Sequence, residues 1–366
     1  MPFGFFQHEE KSTVNVLMCA GSRVGKTSIM AAMQDNMGKA FPEASVSIRL
    51  KQVAGKGQNA LDAFRQKQME AFEDWSSPFY YAEESNQTGA RNDSTASEEA
   101  NDYVGEVRII DAKHTPKLVN TIRFKDPRGE DFTDQRRQQE AVQWIRSSQV
   151  LMIIVDTPRL MECNQNGTRG AFHKRFNKPD AITDLIQKGW QGNRDERLIL
   201  FVPVKCELYL DQGRGQEIVQ RIQEGYAPLI TYIRSSFPEL CSMAIVPCET
   251  MGTLEFRKFE PLGGYDENKP MSNVFHSVYA YRRNDKGQRE RKPKNCEQPL
   301  LYMLMYLFGM CRLDKGNTGI MGFVRGMPAY ADLKLANQKI SSKLNRSESN
   351  GYYVLNDPQG VFGKII

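Results

Sequence analysis

The sequence predicts an α/β fold in which a mostly parallel sheet is covered by helices on both faces. Continuous apolar runs of strand length recur along the chain, at residues 14–19, 150–156, 198–204 and 243–247. Such runs are typical of strands buried on both faces. Helix-like segments separate them, and this alternation indicates parallel strands joined by crossover helices.

Local patterns predict the remaining elements. Residues 103–110 and 118–124 are predicted to be two strands paired as a hairpin. Helices are predicted at residues 27–37, 58–74, 133–147, 215–236 and 300–310. The polar stretch 83–102 has too few apolar residues to join a core, and we expect a long mobile loop there.

The composition excludes several classes of protein. A chain of 366 residues can form one large domain or two smaller ones. Seven scattered cysteines without a C-x-x-C pair argue against a disulfide framework or a zinc site. The start lacks a signal-peptide pattern, and the longest apolar run, 300–310, is shorter than the about 20 residues that span a membrane. We therefore expect a cytoplasmic protein without a membrane span.

The loop after the first strand, CAGSRVGKTSIM at residues 19–30, carries the main functional signal. A strand, a glycine-bearing loop with Gly-Lys-Thr and a helix are the context in which backbone N–H groups surround phosphates. Lys26 is expected to reach the β- and γ-phosphates, and the Thr27 hydroxyl to bind Mg²⁺. Ala20 replaces the first glycine of the usual pattern, and its methyl group fits if φ is negative. The predicted phosphate-binding residues are Gly21, Ser22, Arg23, Val24, Gly25, Lys26, Thr27 and Ser28.

A second signal follows the strand that ends at Asp126, where the chain continues with Pro-Arg-Gly-Glu. An acidic residue at that strand end can hold Mg²⁺ through water, and the N–H of Gly129 can sense a γ-phosphate. A plain DPxG turn would contain the same residues. Asp156, after the run VLMIIV, is a rival for the metal. We prefer Asp126 because Gly129 and Glu130 accompany it.

With these elements in this order, the chain resembles the translation-factor-related (TRAFAC) class of P-loop GTPases, which includes Ras and the Gα subunits. The D-x-x-G element of the class matches residues 126–129, its N/T-K-x-D element is similar to VKCE at 204–207, and its S-A-K element is similar to CET at 248–250. The resemblance implies a P-loop NTPase domain, a three-layer αβα sandwich over residues 1–312, with GTP or GDP and Mg²⁺ as cofactors. The stretch DPRGEDF also resembles bacterial double-GTPase proteins of conflict or defence gene clusters.

The resemblance assigns base recognition to Lys205, Glu207, Cys248 and Glu249. In the class, the lysine stem covers the base, and an aspartate carboxylate pairs with guanine N1–H and its amino group. Glu207 has the same charge and one more methylene group, whereas Val204 lacks the hydrogen bonds of the usual Asn or Thr. A buried carboxylate rejects adenine, whose N1 is an acceptor. We therefore expect GTP rather than ATP.

Further residues are expected to serve catalysis or the metal, beside the catalytic Lys26. Glu130 stands where Ras-like members have the glutamine that orients the attacking water, so hydrolysis is expected to be slow without help. Arg23 either supplies positive charge near the β–γ bridge, as a built-in arginine finger, or points at a partner. The switch I threonine that binds Mg²⁺ is expected before residue 103, with Thr95 preferred to Thr88.

Two segments lie outside the pattern of the class. Residues 257–295 form an insertion in which the stretch 282–295 holds seven Lys or Arg against two acidic residues. Residues 282–294 are expected to meet nucleic acid or an acidic surface, or to be a solvated loop. Residues 313–366 are expected to form a C-terminal extension with a helix at 330–344. Its aromatic tail docks on a partner or packs back on the domain.

These features predict a nucleotide-dependent switch. Binding of GTP and Mg²⁺ orders the loops near Asp126 and Thr95, and slow hydrolysis releases a protein effector or regulator. Two alternatives stay open. One is a scaffold, or pseudo-GTPase, that holds nucleotide without hydrolysing it, suggested by Glu130 and Val204. The other is an ATP-using P-loop NTPase.

Overall fold

The computed structural model describes residues 13–22, 24–40, 46–54, 101–110, 116–132, 134, 136–162, 170–261, 275–281, 292–313 and 330–363. Several predicted features lie outside these residues, namely the helix at 58–74, most of the polar stretch 83–102, Arg23, Thr88, Thr95 and most of the basic run, at 282–291.

Eight of the strands in this part of the chain form one sheet, in the order β10-β7-β6-β5-β1-β4-β3-β2, and β8 and β9 pair separately as an antiparallel hairpin. From β7 to β4 in this order neighbouring strands run parallel, whereas β10, β3 and β2 run antiparallel to the strands they join. The bounds are β1 Thr13–Cys19, β2 Val46–Ala54, β3 Asn101–Ile110, β4 Pro116–Asp126, β5 Val150–Asp156, β6 Arg197–Val204, β7 Cys241–Ile245, β8 Leu254–Pro261, β9 Phe275–Tyr281 and β10 Tyr353–Asn356.

The helices lie between and after the strands. Their bounds are α1 Lys26–Ala40, α2 Gln138–Ser147, α3 Thr157–Met161, α4 Pro179–Trp190, α5 Glu207–Asp211, α6 Gly215–Gly225, α7 Ala227–Ser236, α8 Gln298–Leu313 and α9 Tyr330–Lys343. Short 3₁₀-helices occupy Gly129–Phe132 and Glu348–Asn350, and a π-helix occupies His173–Asn177. Within the described residues no helix combines the length and apolarity needed to cross a membrane.

Two hydrophobic cores lie on opposite faces of the sheet, because successive side chains of a strand point to opposite faces. In β5, Met152 and Ile154 belong to the first core, together with residues of α1, α8 and α9. Leu151 and Ile153 belong to the second core, with residues of α2, α4, α6 and α7. All residues of β5 and β6 are buried. The structure thus confirms the predicted α/β fold with helices on both faces of a mostly parallel sheet.

Several predicted elements have different ends in the structure. The predicted hairpin is present as β3 and β4, and the predicted helix at 133–147 begins only at Gln138. The predicted helix at 215–236 is divided at Tyr226 into α6 and α7. Pro228 lies in the first turn of α7, where its missing N–H breaks no helical hydrogen bond. Neither β2 nor β10 was predicted, and β10 has only four residues.

Residues 330–363 contribute to the first core rather than forming a separate unit. Tyr352, Val361 and Phe362 are buried in that core, and β10 extends the sheet beside β7. A Cβ on Gly309 of α8 would lie 2.6 Å from Cγ1 of Val361, so the glycine permits this close approach. The described part of the tail therefore packs back on the domain.

Phe362→Ala is expected to destabilise the domain by about 3–5 kcal/mol. The Phe362 side chain is 3% exposed, and its ring lies 5.3 Å from that of Tyr302. Urea denaturation followed by circular dichroism measures the change. The control is Leu335→Ala on α9, where the side chain is 46% exposed, and its effect should stay within about 0.5 kcal/mol. Equally small effects of both variants would show that the tail adds nothing to the core.

Candidate functional site

Loops that follow the parallel strands meet at one edge of the sheet. Strands β7, β6, β5, β1 and β4 are parallel neighbours, so their carboxyl ends lie side by side. Ligands of open α/β sheets bind in the crevice at this edge. The described residues predicted to bind a ligand lie at the end of β4, in the loops after β1, β4, β6 and β7, or in the first turns of the helices that follow them.

The glycine loop, residues 20–25, connects β1 to the N-terminus of α1. Gly25 has a φ of 119°, which glycine adopts without strain. The first helical hydrogen bond is donated by Ile29 N–H to the carbonyl of Gly25 at 3.0 Å. The N–H groups of Lys26, Thr27 and Ser28 therefore have no acceptor within the helix. An anion at this point receives those N–H groups and the positive end of the helix dipole.

The glycine loop touches two neighbouring loops through backbone atoms. A Cβ on Gly21 would overlap with the carbonyl oxygen of Phe176, in the segment after β5. A Cβ on Gly129, after β4, would overlap with the backbone nitrogen of Ser22. Glycine at both positions therefore lets the loops after β4 and β5 pack directly on the glycine loop.

Lys26 and Asp126 form a nearly buried ion pair beside the glycine loop. Lys26 Nζ lies 3.7 Å from Oδ1 of Asp126, and the two side chains are 11% and 5% exposed. Oδ1 of Asp126 accepts no hydrogen bond from any described residue. Burial raises the pKa of Asp126, and the Lys26 ammonium offsets part of that rise. A buried carboxylate oxygen in this state has the capacity for a further cation or donor.

Asp156, the predicted rival for the metal, is fully engaged within the protein. Its carboxylate accepts from Lys205 Nζ at 2.8 Å and from the backbone N–H of Arg159 at 3.1 Å, which caps α3. Burial by itself would raise the pKa of Asp156, but Lys205 and Arg159 hold it below its usual value. Asp126, and not Asp156, thus has a carboxylate oxygen that accepts no hydrogen bond from the described residues.

Lys205 lies across the glycine loop. Its Cε is 3.7 Å from the position that a Cβ on Gly25 would take, and Cγ2 of the buried Val204 is 3.4 Å from the same position. The backbone of Lys205 has a φ of 60°, in the left-handed region that is rare for lysine. Its N–H donates to Oγ1 of Thr250 at 3.3 Å, which links the loops after β6 and β7. Burial alone would lower the pKa of Lys205, but the Asp156 carboxylate raises it by more, so the net pKa lies above its ordinary value and the ammonium stays charged.

Glu207 and Glu249, both predicted to meet the base, bind groups of the protein itself. Oε1 of Glu207 accepts the N–H groups of Met251 and Gly252, the latter at 3.1 Å. Burial raises the pKa of Glu207 to about 8. Glu249 exchanges two backbone hydrogen bonds with Lys294, and its carboxylate accepts from Lys294 Nζ at 2.9 Å. In this conformation the N–H of Glu249 is not available to a base.

Asp131 braces the turn that carries Gly129 and Glu130. Its fully buried carboxylate accepts the backbone N–H of Arg128 at 3.0 Å, the Arg128 guanidinium at 3.1 Å and the Arg137 guanidinium at 3.0 Å. Charge-assisted hydrogen bonds of this kind are the strong ones. The turn is therefore held in one conformation, with Glu130 exposed beside Gly129.

The segment after β5, residues 170–178, was missed by the sequence reasoning. Asn177 accepts the backbone N–H of Asp156 at 2.9 Å and donates to its carbonyl at 3.2 Å. Asn177 also bonds Nδ1 of the buried His173 at 3.0 Å, and burial lowers the pKa of His173 to about 4. The four-residue spacing of His173 and Asn177 was the sequence signal available for this contact.

The other predicted residues occupy varied environments. Ala20 is fully buried without a positive φ, so its methyl group fits as expected. Ser22 is exposed, Val24 is buried in the first core, and Cys248 is fully buried. The structure brings Gly21, Ser22, Gly25, Lys26, Asp126, Gly129 and Lys205 together. Arg23 and Thr95 lie outside the described residues.

No protein-family model matches the chain, and a search of the curated proteins gave no match. In the part of the chain that the structure describes, no group of three or more His, Cys, Asp or Glu side chains is arranged to hold a metal ion.

Glu207→Gln is expected to remove a fall in stability between pH 4.5 and 8. The folded state holds the Glu207 proton up to about pH 8, whereas the unfolded state releases it near its ordinary value of 4.5. The stabilisation that the protonated Glu207 contributes is thus fully present below pH 4.5 and is lost as the pH rises through 8. The free energy of unfolding falls over this range by on the order of 3–5 kcal/mol. Glutamine keeps an acceptor oxygen for Met251 and Gly252 and does not ionise.

Urea denaturation of both proteins at several pH values measures this difference. The unfolding free energy of the variant should rise relative to the original protein from pH 4.5 to 8. Glu224→Gln, which removes an exposed carboxylate, is the control for a general charge effect. A difference that stays constant with pH would contradict the assignment.

Proposed function

We propose that the protein is a GTP-binding molecular switch of the P-loop class that hydrolyses GTP slowly and controls a partner protein. The observation that carries the proposal is the pairing of Lys26 with the hydrogen-bond-deficient carboxylate of Asp126, beside the glycine loop. Together with the N–H groups of the first turn of α1, which have no acceptor within the helix, this arrangement is proposed to supply a cation, donors and a metal-binding oxygen at one place.

The residues present fit Mg²⁺. The cation prefers oxygen ligands and takes few of them from the protein. The Thr27 hydroxyl in the first turn of α1 and the carboxylate of Asp126 are such ligands, and Oδ1 of Asp126 is buried without a hydrogen bond. Thr95 is proposed as the further switch I ligand. When bound, Mg²⁺ would neutralise charge on the β- and γ-phosphates.

Preference for guanine rests on Lys205 and Glu207. The lysine stem lies over Gly25, and the carboxyl group of Glu207 is held in place by the N–H groups of Met251 and Gly252. In its ionised form, which predominates above its pKa of about 8, the Glu207 carboxylate accepts guanine N1–H and rejects adenine.

The proposed hydrolysis rate follows from the turn after β4. Gly129 packs on Ser22, and Asp131 braces the turn, so Glu130 is held next to the glycine loop. Glu130 as a carboxylate places negative charge near the transferred phosphate, which slows hydrolysis. Arg23 is proposed to offset this charge in part.

A second candidate function is a nucleotide-binding scaffold that neither selects the base strictly nor hydrolyses the nucleotide. The bond of the Glu249 N–H to Lys294 favours it, because a group expected to meet the base is already occupied. The same hydrogen bond is also compatible with a P-loop NTPase that uses ATP, because the Glu249 N–H would then not be needed to recognise guanine.

Isothermal titration calorimetry with GTP and with ATP in the presence of Mg²⁺, followed by assay of γ-phosphate release, tests the proposal. Tighter GTP binding with slow release supports the switch. GTP binding without release favours the scaffold. Tighter ATP binding contradicts the GTPase assignment.

Thr27→Ala is expected to weaken Mg²⁺-dependent nucleotide binding about tenfold or more, because it removes a metal-ligating hydroxyl and leaves the backbone N–H in place. Calorimetry in Mg²⁺ measures the loss. In EDTA the original protein and the variant should bind equally. A variant that binds as well as the original protein in Mg²⁺ would rule out Thr27 as a ligand.

Gly129→Ala is expected to lower γ-phosphate release about tenfold or more while nucleotide binding remains, because the new Cβ forces the turn away from Ser22. Glu130→Gln removes the negative charge from the same turn and should raise the rate. Single-turnover assays with bound GTP measure both variants. Unchanged rates in both would exclude the turn from hydrolysis.

A further inference from the structure

We propose that Asp156 is a positioning residue that holds both ends of the glycine loop, one through Lys205 and the other through the segment 170–178. The consequence for ligand binding rests on the proposed function, because it takes the glycine loop as the phosphate site. Asp156 is fully buried at the end of β5, the strand next to β1 in the sheet.

Every polar group of Asp156 is engaged. One carboxylate oxygen accepts the N–H of Arg159, and the other lies 2.8 Å from Lys205 Nζ and 3.8 Å from Arg159 Nε. The backbone N–H and carbonyl both bond to the side-chain amide of Asn177. Asp156 therefore joins three segments of the chain, the start of α3, the loop after β6 and the segment 170–178.

The contact with Lys205 reaches the end of the glycine loop at Gly25. Lys205 Nζ has Asp156 as its ion-pair partner, and its Cε lies 3.7 Å from the position that a Gly25 Cβ would take. The backbone of Lys205 is in the left-handed region, which has a conformational cost for a residue with a side chain. The ion pair offsets that cost.

The contact with Asn177 reaches the start of the loop at Gly21. The carbonyl of the preceding residue, Phe176, packs on Gly21, and Cγ of Lys178 would lie 3.5 Å from a Gly21 Cβ. The guanidinium of Arg159 stacks on the ring of Phe176 at 3.8 Å. The backbone of Asp156 thus holds the segment through Asn177, and its carboxylate contacts Arg159, which stacks on the ring of Phe176.

The role of Asp156 requires a negative charge, so a neutral residue of the same shape cannot replace it. Lys205 and Arg159 are 14% and 10% exposed, and both face this one carboxylate. Asparagine at this position still accepts the N–H that caps α3, but its amide would direct N–H groups at an ammonium. Asp156→Asn therefore removes the charge and retains the helix cap.

The test combines Asp156→Asn, Lys205→Met and the double variant in a double-mutant cycle. The full-length proteins are labelled with [¹⁵N]glycine, and the amide signals of Gly21 and Gly25 are recorded without ligand. GTP affinity is then measured by calorimetry in Mg²⁺. The control is Asp195→Asn, which removes an exposed carboxylate that pairs with Arg197 at the opposite end of β6.

We expect Asp156→Asn to shift the signals of both glycines and Lys205→Met to shift Gly25. Each single variant should weaken GTP binding about tenfold, and the double variant should be no weaker than Lys205→Met by more than about twofold. Asp195→Asn should leave both readouts unchanged. Additive losses would show that Asp156 does not act through Lys205 and would overturn the proposal.

The two readouts separate the two proposals. If the original protein binds neither GTP nor ATP while both glycine signals move in Asp156→Asn, the proposed function fails and the positioning role stands. If the original protein binds GTP while Asp156→Asn leaves the glycine signals or the affinity unchanged, the positioning role is wrong and the proposed function stands.

Discussion

Contact between backbones, without side chains between them, is the constraint on which the carboxyl edge of the sheet depends. The glycine loop meets the segment after β5 at Gly21 and the turn after β4 at Gly129, and a Cβ at either position overlaps with backbone atoms. The loops that follow three parallel strands can therefore pack in direct backbone contact. These contacts place the turn after β4 beside the N-terminus of α1, where Lys26 pairs with Asp126. The remaining contacts of the edge stabilise that arrangement.

Two buried acidic residues, at the ends of the strands on either side of β1, have opposite electrostatic situations. Asp126 has one cation at 3.7 Å and an oxygen without a hydrogen bond from the described residues, so burial raises its pKa. Asp156 has two cations and a helix cap, so its pKa is lowered. An unsatisfied buried charge is costly and is typical of sites that await a ligand, whereas a satisfied one is typical of a structural role. The difference between the two carboxylates underlies the two proposals, ligand binding for Asp126 and loop positioning for Asp156.

The sequence predicted what depends on short-range pattern. The buried strands follow from apolar runs, and Gly25-Lys26-Thr27 follows from a strand and a helix on either side. It did not predict contacts that depend on tertiary structure. Asp156 and Lys205 are 49 residues apart and become partners only because β5 and β6 pair in one register. Likewise, the four residues of β10 are extended because β7 offers them an edge, which no local pattern records.

The bridge between Glu249 and Lys294 gives the insertion a mechanical connection to the site. The hairpin of β8 and β9 begins directly after the loop that holds Glu207, and the chain returns at Lys292, whose backbone would overlap with a Cβ on Gly252. Both attachment points of the insertion are thus anchored on the same loop. A displacement of either attachment point of the insertion would therefore act directly on residues 248–252.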